Sequence, residues 1–178
     1  MDEKFRRLIE LGAGEFEHVD GSLIAHLEGT RCLLKEWHAS EILQDAGLYH
    51  AAYGTLAFSH NVFDLNQRGE VAAIIGNAAE RIVYHYCACD RDIFFKQFGN
   101  VAQPVFYDRI SNQKVIISDE LIQQLCELSA ANETEIALNN QDFVTENGSE
   151  LIELFSRMQD YLSPSAMRKI QHVFASSF

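Results

Sequence analysis

Two histidines, His26 and His50, each sit inside an apolar helical pattern within "LIAHLEGTRCLLKEWHASEILQDAGLYHAAYGT", residues 23–55. Leu23, His26, Leu27, Thr30 and Leu34 fall on one helical stripe, and Leu43, Ala46, Gly47 and His50 share another at i, i+3, i+4 and i+7. A lone histidine on an apolar face is commonly a hydrogen-bonded core residue. Two on successive helices invite a second reading, because helices pack about 8–10 Å apart and can point two imidazoles at one ion. Neutral imidazole is the commonest protein ligand for transition metals. A carboxylate from a later helix would complete such a site.

Other side chains could join this chemistry. Gly54 allows a tight turn just past the second helix, which would present the Tyr53 phenol and the Thr55 hydroxyl to a cavity; a tyrosine there can donate a hydrogen bond or act as general acid. The same Tyr-Gly-Thr also reads as a plain helix-terminating motif. His18 is a third nitrogen ligand or proton donor on one reading and a loop residue on the other. His60 lies in an expected loop. His85, between Tyr84 and Tyr86, fits a core position bonded to a tyrosine. Arg68 and Arg91 offer positive charge to an anionic ligand, or partners to the chain's many acids.

The elements that must position these groups are mostly helical. The periodicity predicts helices over about 2–11, 22–38 and 40–50, then 67–75 and 77–89 separated at Gly76, and a turn or two over 91–98. Ser40 is a plausible N-cap. "PVFYDRISNQKVIIS" holds two short β-prone runs, which predicts a small hairpin near 104–117. Ser118 or Asp119 then opens a helix to about Ala131, with a separate short one over 133–139. Ser149 is expected to cap a helix to about Tyr161, and Ser163-Pro164 opens the last. No repeat or linker divides the chain, so residues 1–178 are expected to form one domain.

Composition narrows the function. The formal net charge of −12 repels phosphate backbones and argues against nucleic acid as a partner. A small anionic ligand needs only a local cluster of positive charge or a metal. No window approaches the roughly 18–20 apolar residues of a membrane span, and the acid-bearing N-terminus is unlike a signal peptide, so no membrane partner and a cytoplasmic location are expected. Cys87 and Cys89 form a C-x-C without a second pair, which reads as reduced thiols rather than a zinc knuckle. The 12 phenylalanines and 6 tyrosines could line a pocket or a homodimer interface. No G-x-G-x-x-G, Walker-type loop or G-x-S-x-G elbow occurs.

A histidine in one helix, a second closing the next after "DAGLYH", and the later "ACDRD" resemble the HD superfamily of metal-dependent phosphohydrolases. The similarity leans toward the hydrolase domain of guanosine tetraphosphate synthetase/hydrolase enzymes, where a glycine-containing helix like "RGEVAAIIGNAAERIV" also follows. "HVDGSLIAHLEGT", "AGLYHAAYGT", "IGNAAERIVYHYCACDR" and "LCELSAANETE" together look like an HD-like family of unassigned function, over about residues 15–140. The resemblance implies an HD-like helical bundle with a divalent metal (iron, manganese or zinc) on His26, His50 and Asp90. His18, Tyr53, Thr55 and Arg91 would be the catalytic neighbours. Two departures bear on that expectation: the superfamily's His-Asp doublet is His50-Ala51 here, and Tyr53-Gly54-Thr55 stands where the guanosine tetraphosphate hydrolases place carboxylates. The expected function is therefore a small-molecule enzyme with a degenerate HD-type site, hydrolytic or not. The alternative is an inactive ligand-binding or regulatory module.

Overall fold

The computed structural model describes residues 3–11, 17–18, 21–56 and 61–175. The architecture is mostly α-helical. α1 (Glu3–Glu10) precedes a short antiparallel pair, β1 (Glu17–His18) and β2 (Gly21–Ser22). α2 (Leu23–Glu36) and α3 (Glu41–Tyr49) start where Ser22 and Ser40 accept hydrogen bonds from the backbone N–H groups of Ala25 and Leu43. The stripes read from the sequence are the faces they bury: Leu23, His26, Leu27, Thr30 and Leu34 on α2, and Leu43, Ala46 and Gly47 on α3. Gly47 lets the two helices approach closely, since a Cβ there would meet Leu34 Cδ1 at 2.5 Å.

α4 (Arg68–Ile75) and α5 (Asn77–Ala88) are divided at Gly76, whose φ of 85° lies in the left-handed region that suits glycine. α6 (Arg91–Phe94) runs into a 3-10 turn, and the hairpin follows as β3 (Phe106–Asp108) and β4 (Gln113–Val115). Phe94 packs edge-on against Phe98 and Phe106, anchoring the hairpin. Each such buried ring contributes about 1.5–3 kcal/mol.

Two expected boundaries move. α7 (Asp119–Asn139) is one helix with no break after Ala131. It runs through the middle of the molecule, against α2, α3, α5 and the two helices that follow it, and residues 125–132 are buried all round. That packing carries it past the polar "NETE" run, with Thr134 and Ala137 also buried. α8 (Gln141–Arg157) begins well before Ser149, because Asn140 caps it by accepting from Phe143 N–H at 2.8 Å. Ser149 lies exposed in mid-helix, where a short hydroxyl residue is tolerated. α9 (Pro164–Val173) opens at Ser163 with Pro164 in its first turn. Among the described residues, no helix is long and apolar enough to cross a membrane.

Candidate functional site

His26 and His50 meet. His26 projects from α2, and His50 ends α3, one residue past Tyr49. They are 6% and 2% exposed. Their Nε2 atoms stand 3.2 Å apart, with the rings edge to face. Asn132 of α7 brings its Oδ1 to 3.1 Å from His26 Nε2.

The tautomers follow from the other face of each ring. His50 Nδ1 lies 2.7 Å from the Gly47 carbonyl, and His26 Nδ1 is in hydrogen-bond contact with the Glu135 carboxylate. Each Nδ1 therefore carries a proton and donates it to oxygen, which leaves a lone pair on each Nε2 of the neutral ring. Asn132 turns its Nδ2 to Glu133 Oε1 at 3.1 Å, so it too presents an acceptor to the pair. His26 Nε2 therefore has two acceptor atoms within 3.2 Å, and repels both unless something positive lies between. A proton on one Nε2, or a cation, meets that requirement.

The surrounding polar groups close a ring around the pair. Arg91 donates to Glu133 Oε1 at 3.1 Å and to the Tyr86 hydroxyl, and its guanidinium stacks 4.7 Å above the Tyr86 ring. Tyr86 in turn meets His50 edge to face at 5.4 Å. Burial pushes the Tyr86 phenol above the usual tyrosine range, so it stays protonated. Gly29 makes room for Glu135: a Cβ there would lie 2.7 Å from Glu135 Oε1. Asn139 holds that same oxygen from the far side at 2.8 Å.

The other expected site residues go elsewhere. Asp90 does not close the pair; it caps α6 by accepting from Ile93 N–H at 3.1 Å. Asn132 and Glu135, reached because α7 is unbroken, stand where a later carboxylate was expected. Tyr53 is buried and donates to Glu80 Oε1 at 3.0 Å, and Glu80 is also gripped by Arg68 at 2.6 and 2.9 Å. Burial and the Glu80 carboxylate push the Tyr53 phenol above its ordinary range, which suits a permanent donor rather than an acid. Gly54 has a left-handed backbone, with φ 74°, and Thr55 after it is buried. His85 differs from expectation: its Nδ1 donates to the Arg81 carbonyl at 2.7 Å, and its contact with Tyr84 is ring against ring. The side chain of His18 and all of His60 lie outside the described residues.

Cys87 and Cys89 are buried free thiols, and burial pushes both up to about 12. Cys87 Sγ donates to the His50 carbonyl at 3.2 Å, tying α5 to the end of α3. Asn132 and Glu135 were not singled out in the sequence. The available signal was two polar residues at i and i+3 following the small, apolar-flanked Ser-Ala-Ala of one helix, since buried polar groups need partners.

Residues 7–91 match the model of a protein family described as "Domain of unknown function (DUF6817)". The match takes in both histidines and stops short of the α7 residues that meet them. No curated protein and no solved structure matches the chain.

Proposed function

We propose that the chain is a small-molecule enzyme whose reacting centre is the His26–His50 pair, a degenerate HD-type site. The observation that carries this is the approach of His50 Nε2 and Asn132 Oδ1 to within 3.2 Å of His26 Nε2, with both Nδ1 protons tied to oxygens behind them. Two histidines present only for packing would satisfy their nitrogens on backbone carbonyls and turn away from each other.

The donor set fits a metal in spacing. With metal–nitrogen distances near 2.0–2.1 Å, two imidazole nitrogens on one ion stand roughly 2.9–3.4 Å apart. A divalent ion would be held by His26, His50 and Asn132, and would supply Lewis acidity and an activated water. This set lacks an anion, because Ala51 stands where the superfamily has aspartate. Among the described residues no group of three or more His, Cys, Asp or Glu side chains is placed to hold a metal. Such a site binds more weakly than one containing a carboxylate.

The protein side of the chemistry does not depend on the ion. Glu135 accepts the Nδ1 proton of His26, orients the ring and stabilises it when it takes a second proton, as the carboxylate partner of a catalytic histidine does. His26 Nε2 exchanges a proton with the substrate, and His50 Nε2 takes that proton in turn and returns it through His26. Arg91, whose charge is matched by Glu133, holds Glu133 and Tyr86 in place beside the pair.

The test is a turnover screen of small phosphorylated and carboxylated metabolites by mass spectrometry, with manganese, iron, zinc or chelator. Turnover by the wild type that is lost in both His26→Gln and His50→Gln supports the proposal. Turnover unchanged in both variants, or absent from the wild type under every condition, overturns it. The second outcome would leave a binding module without catalysis.

A further inference from the structure

A second polar site lies away from the histidine pair, where the end of α2 meets α9. A surface depression of about 330 Å³ is lined there by Trp37, His38 and α9 side chains. Ser165, Arg168, Lys169 and His172 fall at i, i+3, i+4 and i+7, one stripe of α9. Arg168 and Lys169 outweigh the one acid of the lining, Glu36, so the patch is positive even with both imidazoles neutral. That is unexpected in a chain of net charge −12.

Two further features mark the depression out. The first is Trp37, 3% exposed, whose buried Nε1 has no hydrogen-bond partner among the described residues. A buried indole N–H ordinarily finds an acceptor. The second is His38. Its amide donates to the Lys35 carbonyl at 3.0 Å, and the Ala39 amide donates to the Leu34 carbonyl at 2.9 Å. These bonds close α2 in the motif that places a left-handed residue, usually glycine, just past the helix end. Here the residue is histidine, at φ 61°. A side chain kept at a backbone conformation that disfavours one is directed to the same depression as the stripe on α9.

We infer that this depression binds a phosphate-sized oxyanion, either free or as the phosphoryl group of a small molecule. Its donors are the Arg168 guanidinium, the Lys169 ammonium, the His38 and His172 imidazoles and the Ser165 hydroxyl. Arg168 already donates to Ser165 Oγ at 3.0 Å and Lys169 to Glu36 at 3.2 Å. The anion takes over Lys169 from a partly exposed ion pair, which is weak in water.

Trp37 is the only tryptophan of the chain, so its emission reports on this site alone. The full chain is titrated with inorganic phosphate at constant ionic strength, with chloride as the balancing salt. The expected result is a saturable change in Trp37 emission whose midpoint rises about tenfold or more in Arg168→Gln, the loss of one charge-assisted hydrogen bond. Lys169→Gln is expected to act in the same direction. Both sites are on the surface, and unchanged far-UV circular dichroism confirms the fold of each variant. Phenyl phosphate separates the sources: a midpoint equal to or tighter than that of free phosphate marks the phosphoryl group as the recognised element, and no response to it overturns that source. Acetate is expected to give no saturable response. The inference is overturned by no saturable change with phosphate, by an equal response to acetate, or by midpoints unmoved in both variants.

Discussion

Gly29→Ala tests the link between Glu135 and His26 through stability alone, so no substrate is needed. An added Cβ would stand 2.7 Å from Glu135 Oε1, 2.8 Å from Cγ and 3.0 Å from Cδ, all on the side chain that reaches His26 Nδ1. Ordinary contact needs 3.4 Å or more, so the Glu135 side chain must retreat and its bond to His26 is lost. A hydrogen bond to a charged group contributes about 1.5–3 kcal/mol. Glu135 and His26 are 12% and 6% exposed, so solvent screens this bond little. Against this, alanine for glycine inside a helix gains about 0.5–1 kcal/mol. The balance is a net destabilisation of roughly 1–2 kcal/mol, or a fall of about 2–8 °C in Tm for a chain of this size. In a Glu135→Ala background the clash and the bond are both gone, so Gly29→Ala should raise Tm instead. The assay is thermal unfolding of the wild type, the two single variants and the double variant. A rise in Tm on Gly29→Ala in the wild-type background would refute the reasoning, because it would mean that no bond of value was displaced.

The remaining predictions concern the scaffold. Burial opposes ionisation of Asp108, but hydrogen bonds from the Ser111 amide, the Tyr84 hydroxyl and the Ile110 amide outweigh it and hold its carboxyl below the usual 3.8. A depressed carboxyl contributes stability that is present above that pH and lost as pH falls through the folded-state value. Asp108→Asn should therefore be less stable than wild type at pH 7, and the gap should narrow on acidification in urea unfolding; a gap independent of pH would contradict this. Tyr53→Phe should cost about 1–2 kcal/mol through the lost bond to Glu80, read by the same method, and an unchanged midpoint would mean the phenol is not bound there. A thiol reagent at pH 8 should modify only exposed Cys32 of the four cysteines rapidly, with the buried thiols reacting on unfolding. Rapid loss of more than one thiol would contradict the burial of Cys87 and Cys89. Asn140→Ala should destabilise by about 1 kcal/mol through loss of the α8 cap, and no shift in Tm would place the helix start elsewhere.

Much of the scaffold was legible because its signals are local. Ser22, Ser40 and Ser163 announce helix starts through cap chemistry, and the stripes of α2 and α3 mark the faces that bury the two histidines. The hairpin was legible from two β-prone runs around a polar turn. The α7–α8 region misled because its cap-like residues compete. Asn132-Glu133-Thr134-Glu135 resembles a helix break, and only tertiary burial keeps α7 continuous. That error hid half of the site. With a break after Ala131, Asn132 and Glu135 do not share a helical face; with one unbroken helix they do, three residues apart. Glu135 was further obscured by being one of 26 acids. What marks it is the absence of a side chain at Gly29, and pairing residues so distant in sequence needs the packing of α2 on α7. Asp90 lay in an Asp-Arg pair that suggested a ligand, yet local geometry makes it a cap, the commoner fate of an aspartate just before a helix.

The central claim is that His26 and His50 together hold one positive occupant between their Nε2 atoms. It is tested most directly by nitrogen-15 NMR of the imidazoles, first in metal-free protein and then with zinc. The account predicts protonated Nδ1 atoms on both rings. It also predicts a coupling between the two Nε2 nuclei through a shared proton, and its disappearance with a shift of both Nε2 resonances when zinc is added. An unprotonated Nδ1 on either ring, or Nε2 resonances uncoupled without metal and unmoved by zinc, would contradict it.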